Sequence, residues 1–164
     1  WSSDVCSSDL TDFPATVPSS LFAGKQDGVL LKINPSCTNV LWSRYYGGSD
    51  DDGALVLETN PVNNTVYLAG ATNSTDLPGT ALATNNSFLN KTKHGDIDGF
   101  IASFDGSTGN LIKASYVGTD NVDVIYGIKF DKKGYPYIMG TTRGPNNWPT
   151  VSANPIGKIG RAHV

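Results

Sequence analysis

Asp98-Gly-Phe-Ile-Ala-Ser-Phe-Asp105 restates, 71 residues on, the phrase Asp27-Gly-Val-Leu-Leu-Lys-Ile-Asn34. In the first copy Val29, Leu31 and Ile33 alternate with Leu30, Lys32 and Asn34, the two-residue period of a β-strand. Phe100, Ala102 and Phe104 fall on the matching face of the second copy, and a slip of one residue would turn every side chain to the wrong side.

The duplication extends outward from this strand. After the turn Asn34 to Asn39, Val40-Leu-Trp-Ser-Arg-Tyr-Tyr-Gly-Gly48 answers to Leu111-Ile-Lys-Ala-Ser-Tyr-Val-Gly118. Leu41, Ser43 and Tyr45 then correspond to Ile112, Ala114 and Tyr116, large residues flanking a small one as packed sheets require. A third, weaker strand aligns Leu55, Leu57 and Thr59 with Tyr126, Ile128 and Phe130. The offset then drops to 70, because Asn60 to Asn64 is one residue longer than Asp131 to Gly134. It stays there for Val66-Tyr-Leu-Ala-Gly70 against Pro136-Tyr-Ile-Met-Gly140. A length change confined to a turn leaves every strand face intact. Thr75-Asp-Leu-Pro78 repeats Thr11-Asp-Phe-Pro14, and Asn147-Trp-Pro149 repeats it loosely, which suits a connection between sheets whose large apolar residue plugs inward.

Each copy is expected to form four antiparallel strands, and one such sheet cannot bury both faces by itself. Radial stacking would give a β-propeller; a linear array or a two-sheet sandwich would use the same strands differently. The order Tyr45-Tyr-Gly-Gly-Ser-Asp-Asp-Asp52, Val66 to Pro78, then Asp98 to Asp105 resembles the beta-propeller repeat family called SBBP, over about residues 11 to 155. The resemblance implies an all-β, incomplete β-propeller: two four-stranded antiparallel blades plus fragments of flanking blades. It also implies an extracellular or cell-surface setting, beside adhesion-type modules, with no shared catalytic residues. The second copy departs from the family pattern at Val117, Thr119 and Val122.

The expected division is a preceding blade's end and connection over 11–24, blade one over 25–79, a polar insertion over 80–95, blade two over 96–149 and a further connection over 150–158. Segments 1–10 and 159–164 have no counterpart, resemble translated adapter sequence and read as non-native or disordered ends of a slice from a longer protein. They hold Cys6 and His163, leaving Cys37 and His94 alone in the body of the chain, which favours neither a disulfide framework nor a histidine-rich zinc site.

A net charge of −3 and a pI near 5.1 supply no basic footprint, so nucleic acid is not an expected partner. No run approaches the ~18 apolar residues of a membrane span, so no membrane insertion is expected. Asp50, Asp51 and Asp52 after two glycines are a calcium candidate, since oxygen-rich loops hold that ion; consecutive residues converge on one point only in a loop, and a solvated turn is the plainer reading. No other cofactor is expected. Asp96-Ile-Asp98-Gly99 lacks the full calcium-loop pattern, and Asp98, twinned with Asp27, reads as a residue that bonds backbone amides in its own turn.

His94 in the insertion, with Arg143 and Trp148 in a later loop, mark candidate ligand-binding loops for a glycan or protein, because rigid sheets present variable loops. Trp42, Tyr45, Tyr46, Tyr67, Tyr116 and Tyr137 read as packing between sheets, with a sugar-binding platform as the alternative. Asn63, Asn73, Asn85 and Asn90 begin Asn-x-Ser/Thr sequons, which are compatible with secretion without arguing for it. No Gly-x-Ser-x-Gly nucleophile turn occurs. The expected function is thus a non-enzymatic scaffold or binding segment whose partners are neighbouring blades of the full-length protein. A propeller-based polysaccharide lyase or hydrolase and a purely structural spacer are the alternatives.

Overall fold

A computed structural model describes residues 13–17, 22–82 and 90–144. Trp148, the segments 1–10, 150–158 and 159–164 and the middle of the polar insertion lie outside the described residues. Eight strands follow in order: β1 (Gly28–Ile33), β2 (Val40–Tyr46), β3 (Asp52–Thr59), β4 (Thr65–Thr72), β5 (Asp98–Asp105), β6 (Leu111–Val117), β7 (Asp123–Phe130) and β8 (Pro136–Thr142). The described residues are all-β apart from a single 3-10 turn over Thr80–Leu82.

The eight strands and their equivalence are as expected, but the sheets are not the copies. The complete four-stranded sheet is β3-β4-β5-β6, flanked by the two-stranded sheets β1-β2 and β7-β8. The expectation of two four-stranded blades over 25–79 and 96–149 is corrected: sequence copy and sheet are out of phase by two strands. The cause lies in the joints. Between β2 and β3 the chain passes through Gly47-Gly48-Ser49-Asp50-Asp51 and changes sheet, whereas β4 runs antiparallel to β5 over eight pairs from Thr65↔Asp105 to Thr72↔Asp98. The long polar connection is therefore a link within one sheet, and the short acidic turn is the crossing between sheets.

The repeat reaches finer detail than the strands. β3 carries a bulge between Ala54 and Val56, and β7 carries one between Ile125 and Gly127. β1 is irregular between Lys32 and Ile33, and β5 between Ser103 and Phe104. Every one of these positions is matched at the same spacing. A bulge inserts an unpaired residue and resets the alternation beyond it, so Leu55 and Tyr126, the two bulged residues, are about half exposed (52% and 50%). The turn difference is also as read: Asn60 closes on Thr65 in one copy and Asp131 closes on Tyr135 in the other, one residue sooner.

The three sheets stack, with the central one packed on both faces. Phe100, Ala102, Phe104, Leu68 and Tyr116 meet Leu30, Trp42 and Tyr46 of the β1-β2 sheet. Ala69 and Val117, backed by Ile101 and Tyr67, meet Ile125 and Ile128 of β7. Burying a Phe or Leu side chain contributes roughly 1.5–3 kcal/mol, so these clusters are the main attraction between sheets. Among the described residues the sheets do not close into a ring.

Polar pins fix the first interface. The hairpin joining β5 to β6 offers the Gly106 carbonyl to Lys32 Nζ (2.7 Å) and Trp42 Nε1 (3.3 Å). Its Gly109 carbonyl accepts from Arg44 Nη1 at 2.6 Å, and the guanidinium lies 4.8 Å from the Phe104 ring centre. Burial lowers the Arg44 pKa below its ordinary value. The predicted inward plug of the Thr-Asp-Leu-Pro turn is Leu77, buried, whose N–H donates to Tyr116 Oη at 3.0 Å. Burial pushes the Tyr116 phenol up to about 12.

Candidate functional site: a carboxylate pair built twice

Asp98 opens β5 and Asp123 opens β7, so these two acids stand where one sheet hands over to the next. Asp98 accepts from the N–H of His94 (2.9 Å) and of Gly95 (2.8 Å). Its twin Asp27 accepts from Ala23 N–H at 2.9 Å, the equivalent position. The turn-capping role read from the sequence is thus present in both copies. Asp123 Oδ2 accepts from Thr119 N–H at 2.6 Å, and Asp52 Oδ2 accepts from Gly48 N–H at 2.7 Å, again at matched positions. Backbone bonds repeat too: Asp52 N–H to Gln26 and Asp123 N–H to Ile97, Asn73 N–H to Asp51 and Arg143 N–H to Val122.

The glycine before each of these turns is explained by the acids. A Cβ on Gly118 would lie 2.9 Å from Asp123 Oδ2 and 3.0 Å from Asp98 Cγ; on Gly47 it would lie 2.6 Å from Asp27 Cγ and 2.9 Å from Asp52 Oδ2. Each glycine is therefore wedged against both members of a carboxylate pair. At the next position a Cβ on Gly48 would lie 2.5 Å from Asp76 Oδ1 and 2.7 Å from Ser74 Cβ, whereas Thr119 in the second copy faces Gly144 where the first copy has Ser74, and its N–H still donates to Asp123. The change from Gly48 to Thr119 leaves the joint intact.

Three of the four acids are held out of water, and Asp27 is half-buried. Asp52, Asp98 and Asp123 are 1%, 0% and 0% exposed, and Oδ1 of Asp27, Asp52 and Asp123 is buried without a hydrogen-bond partner. Burial raises the pKa of Asp27, Asp52 and Asp98 above the ordinary carboxylate value; the charge of Asp52 raises Asp27 further, and that of Asp123 raises Asp98. In each pair the charge of one acid therefore disfavours the charge of its partner.

The predicted calcium loop is laid out differently. Asp50 turns to Lys25 Nζ at 2.8 Å, Asp51 is exposed and Asp52 is buried against Gly48 and Ser74 Oγ (2.8 Å). Lys25 holds the Asp50 carboxyl below its usual range. The three neighbours diverge, and among the described residues no group of three or more acids, histidines or cysteines is placed to hold a metal ion. A cleft of about 160 Å³ lies beside them, lined by residues including Gln26, Asp51, Asp52, Asn73 and Ile97.

The candidate loops share one end of the stack. The connections 47–51, 73–97 and 118–122 and the chain after Thr142 all leave the sheets at the end where the carboxylate pairs lie, opposite the four tight hairpins. His94 Nδ1 stands 3.8 Å from Asp120 Oδ1. Arg143 is exposed and continues the β7-β8 sheet through its N–H. Of the aromatic set, Trp42, Tyr45, Tyr46 and Tyr116 are buried, as packing requires, whereas Tyr137 is 63% exposed.

The residues that sequence reasoning missed are Asp52 and Asp123 as a matched pair. The signal was their spacing of 71, the same as that of Asp27 and Asp98; it was hidden because Asp52 was grouped with its neighbours in the chain. No protein-family model matches this chain, and no curated protein matches it.

Proposed function

We propose that this chain is a non-enzymatic repeat segment of the SBBP-like propeller type, at the cell surface or outside the cell, acting as a scaffold or binding module. The observation that supports it is the joint built twice: in both copies the buried acids, the wedged glycine and the matched backbone bonds hold one sheet on the next. Their geometry serves assembly. A ligand, a glycan or a protein, is to be sought at the loop end, where the polar insertion, His94 and Arg143 emerge from rigid strands.

The test uses the full-length gene product on glycan and protein panels, alongside a variant whose segment from Thr80 to Gly95 is replaced by a short turn. Binding that disappears in the variant while the β-sheet spectrum persists supports a binding module. Absence of binding by either protein leaves the spacer role. Polysaccharide turnover abolished by Asp51→Ala would replace the proposal with an enzyme.

A further inference from the structure

Among the features not absorbed by that reading are apolar surfaces on β1 and β8, in the two flanking sheets. On β1, Val29, Leu31 and Ile33 are 44%, 46% and 50% exposed; on β8, Tyr137, Ile138 and Met139 are 63%, 40% and 67% exposed. Single exposed apolar residues need no explanation, but Val29, Leu31 and Ile33 share one face of β1, and on β8 Tyr137 and Met139 share one face with Ile138 on the other; grouped exposure of this kind marks contact surfaces. Among the described residues β1 pairs only with β2, and β8 only with β7. Among the described residues both ladder edges are therefore open, and such edges template further pairing.

The central sheet says what fits these edges. β8 is equivalent to β4 and β1 is equivalent to β5, and β4 and β5 are hydrogen-bonded neighbours. The exposed row Val29, Leu31, Ile33 is the counterpart of Phe100, Ala102 and Phe104, which are all buried. Tyr137 is the counterpart of Tyr67, whose ring packs 5.0 Å from Phe130 of the following sheet.

We infer that β8 of one copy of this chain pairs antiparallel with β1 of a second copy, so that β7-β8-β1-β2 becomes a composite four-stranded sheet like β3-β4-β5-β6. The partner is a second copy, because the edge, the register and the covering face are already matched inside the chain. The β4-β5 ladder pairs Tyr67↔Ser103, Leu68↔Ala102, Ala69↔Ile101 and Gly70↔Phe100. Carried across, it pairs Tyr137 with Lys32, Ile138 with Leu31, Met139 with Leu30 and Gly140 with Val29 of the second copy. Pro136, which lacks an N–H, stands at the first position of β8, so the ladder runs from Tyr137 onward. The contact joins two different surfaces and is heterologous, which gives open chains of copies or rings. The inference rests on the stacked-repeat reading only through the equivalence of the strands.

The experiment uses the whole chain with Cys6 and Cys37 changed to Ser, in two single-cysteine forms, Leu31→Cys and Ile138→Cys, both at exposed positions. Directly opposed strand residues lie ~4.5–5.5 Å apart, within the ~4.4–6.8 Å reach of a disulfide. Mild oxidation of the mixture should give a dimer containing one of each form, with roughly tenfold more product than either form alone. Pairing Ile138→Cys with Ile33→Cys, two residues out of register, should fall back to the level of the single forms. Equal yields from the shifted pair, or homodimers from each form alone, would overturn the inference. Sedimentation of the unaltered chain is the second measurement: weight-average mass should rise with concentration and return to that of the monomer in Ile138→Lys. A folded monomer at every concentration would sink this contact and leave the stacked-repeat reading standing.

Discussion

At Gly118 a methyl group would meet Asp98 and Asp123 at about 3 Å, whereas at Gly53 the nearest atom is 3.9 Å away. Gly118→Ala and Gly47→Ala should each destabilise the fold by about 1–3 kcal/mol through overpacking. Gly53→Ala should stay within about 0.5 kcal/mol. Chemical denaturation of the three variants checks the contrast. The acids also set a pH dependence. Because Asp27, Asp52 and Asp98 have raised pKa values in the fold, the native state holds protons that the unfolded chain releases. Their contribution is fully present below the ordinary value of 3.8 and is lost as pH rises through the raised values. Asp50 and Asp105 shift the other way but are exposed, so their opposing effect at lower pH is small. The melting temperature should therefore be higher near about pH 5 than near about pH 7. Asp52→Asn, which removes one of the raised carboxyls and the charge that raises Asp27, should flatten that slope, and a slope unchanged in the variant would show that the pair does not carry it.

At the scale of elements, the hairpin between β5 and β6 is the clamp that seats the first sheet on the second. Gly109 has φ of +73° and would bring a Cβ within 2.8 Å of the Trp42 ring. Gly109→Ala should cost about 1–3 kcal/mol from combined backbone strain and overpacking. Trp42→Ala should cost about 3–5 kcal/mol, since it removes a buried indole and the donor to Gly106. A calorimetric comparison of the two decides whether the clamp is as tight as its geometry. Much of this was legible in the chain: strand alternation placed Phe100, Ala102 and Phe104 on one face, and the drop in spacing at Asn60 to Asn64 located the longer turn. The bulges at Leu55 and Tyr126 were not legible, because a bulge is a feature of pairing and leaves no local periodicity. Nor was the phase of the sheet, since a repeat fixes which strands are equivalent but not which neighbours hydrogen-bond. Asp50, Asp51 and Asp52 looked like one site because they adjoin in the chain; in the fold Asp52 belongs with Asp27.

At the scale of the whole molecule, the described residues form a stack with a saturated middle and two half-sheets. β5 is buried on both faces, whereas every residue of β8 is exposed. Stability in stacked repeats is a sum over units and their interfaces, so opening should begin at β8 and end at β4 and β5. The isolated chain is expected to associate or aggregate through its free edges, and a cooperative monomeric unfolding transition would contradict that expectation. The central claim is that β3, β4, β5 and β6 form one sheet, with copy and sheet two strands out of phase. Cross-strand nuclear Overhauser contacts, read together with amide exchange, test it most directly. The account predicts contacts at Leu68↔Ala102 and Gly70↔Phe100 with the slowest exchange in β4 and β5; a continuous ladder between β2 and β3, with slowest exchange there, would contradict it.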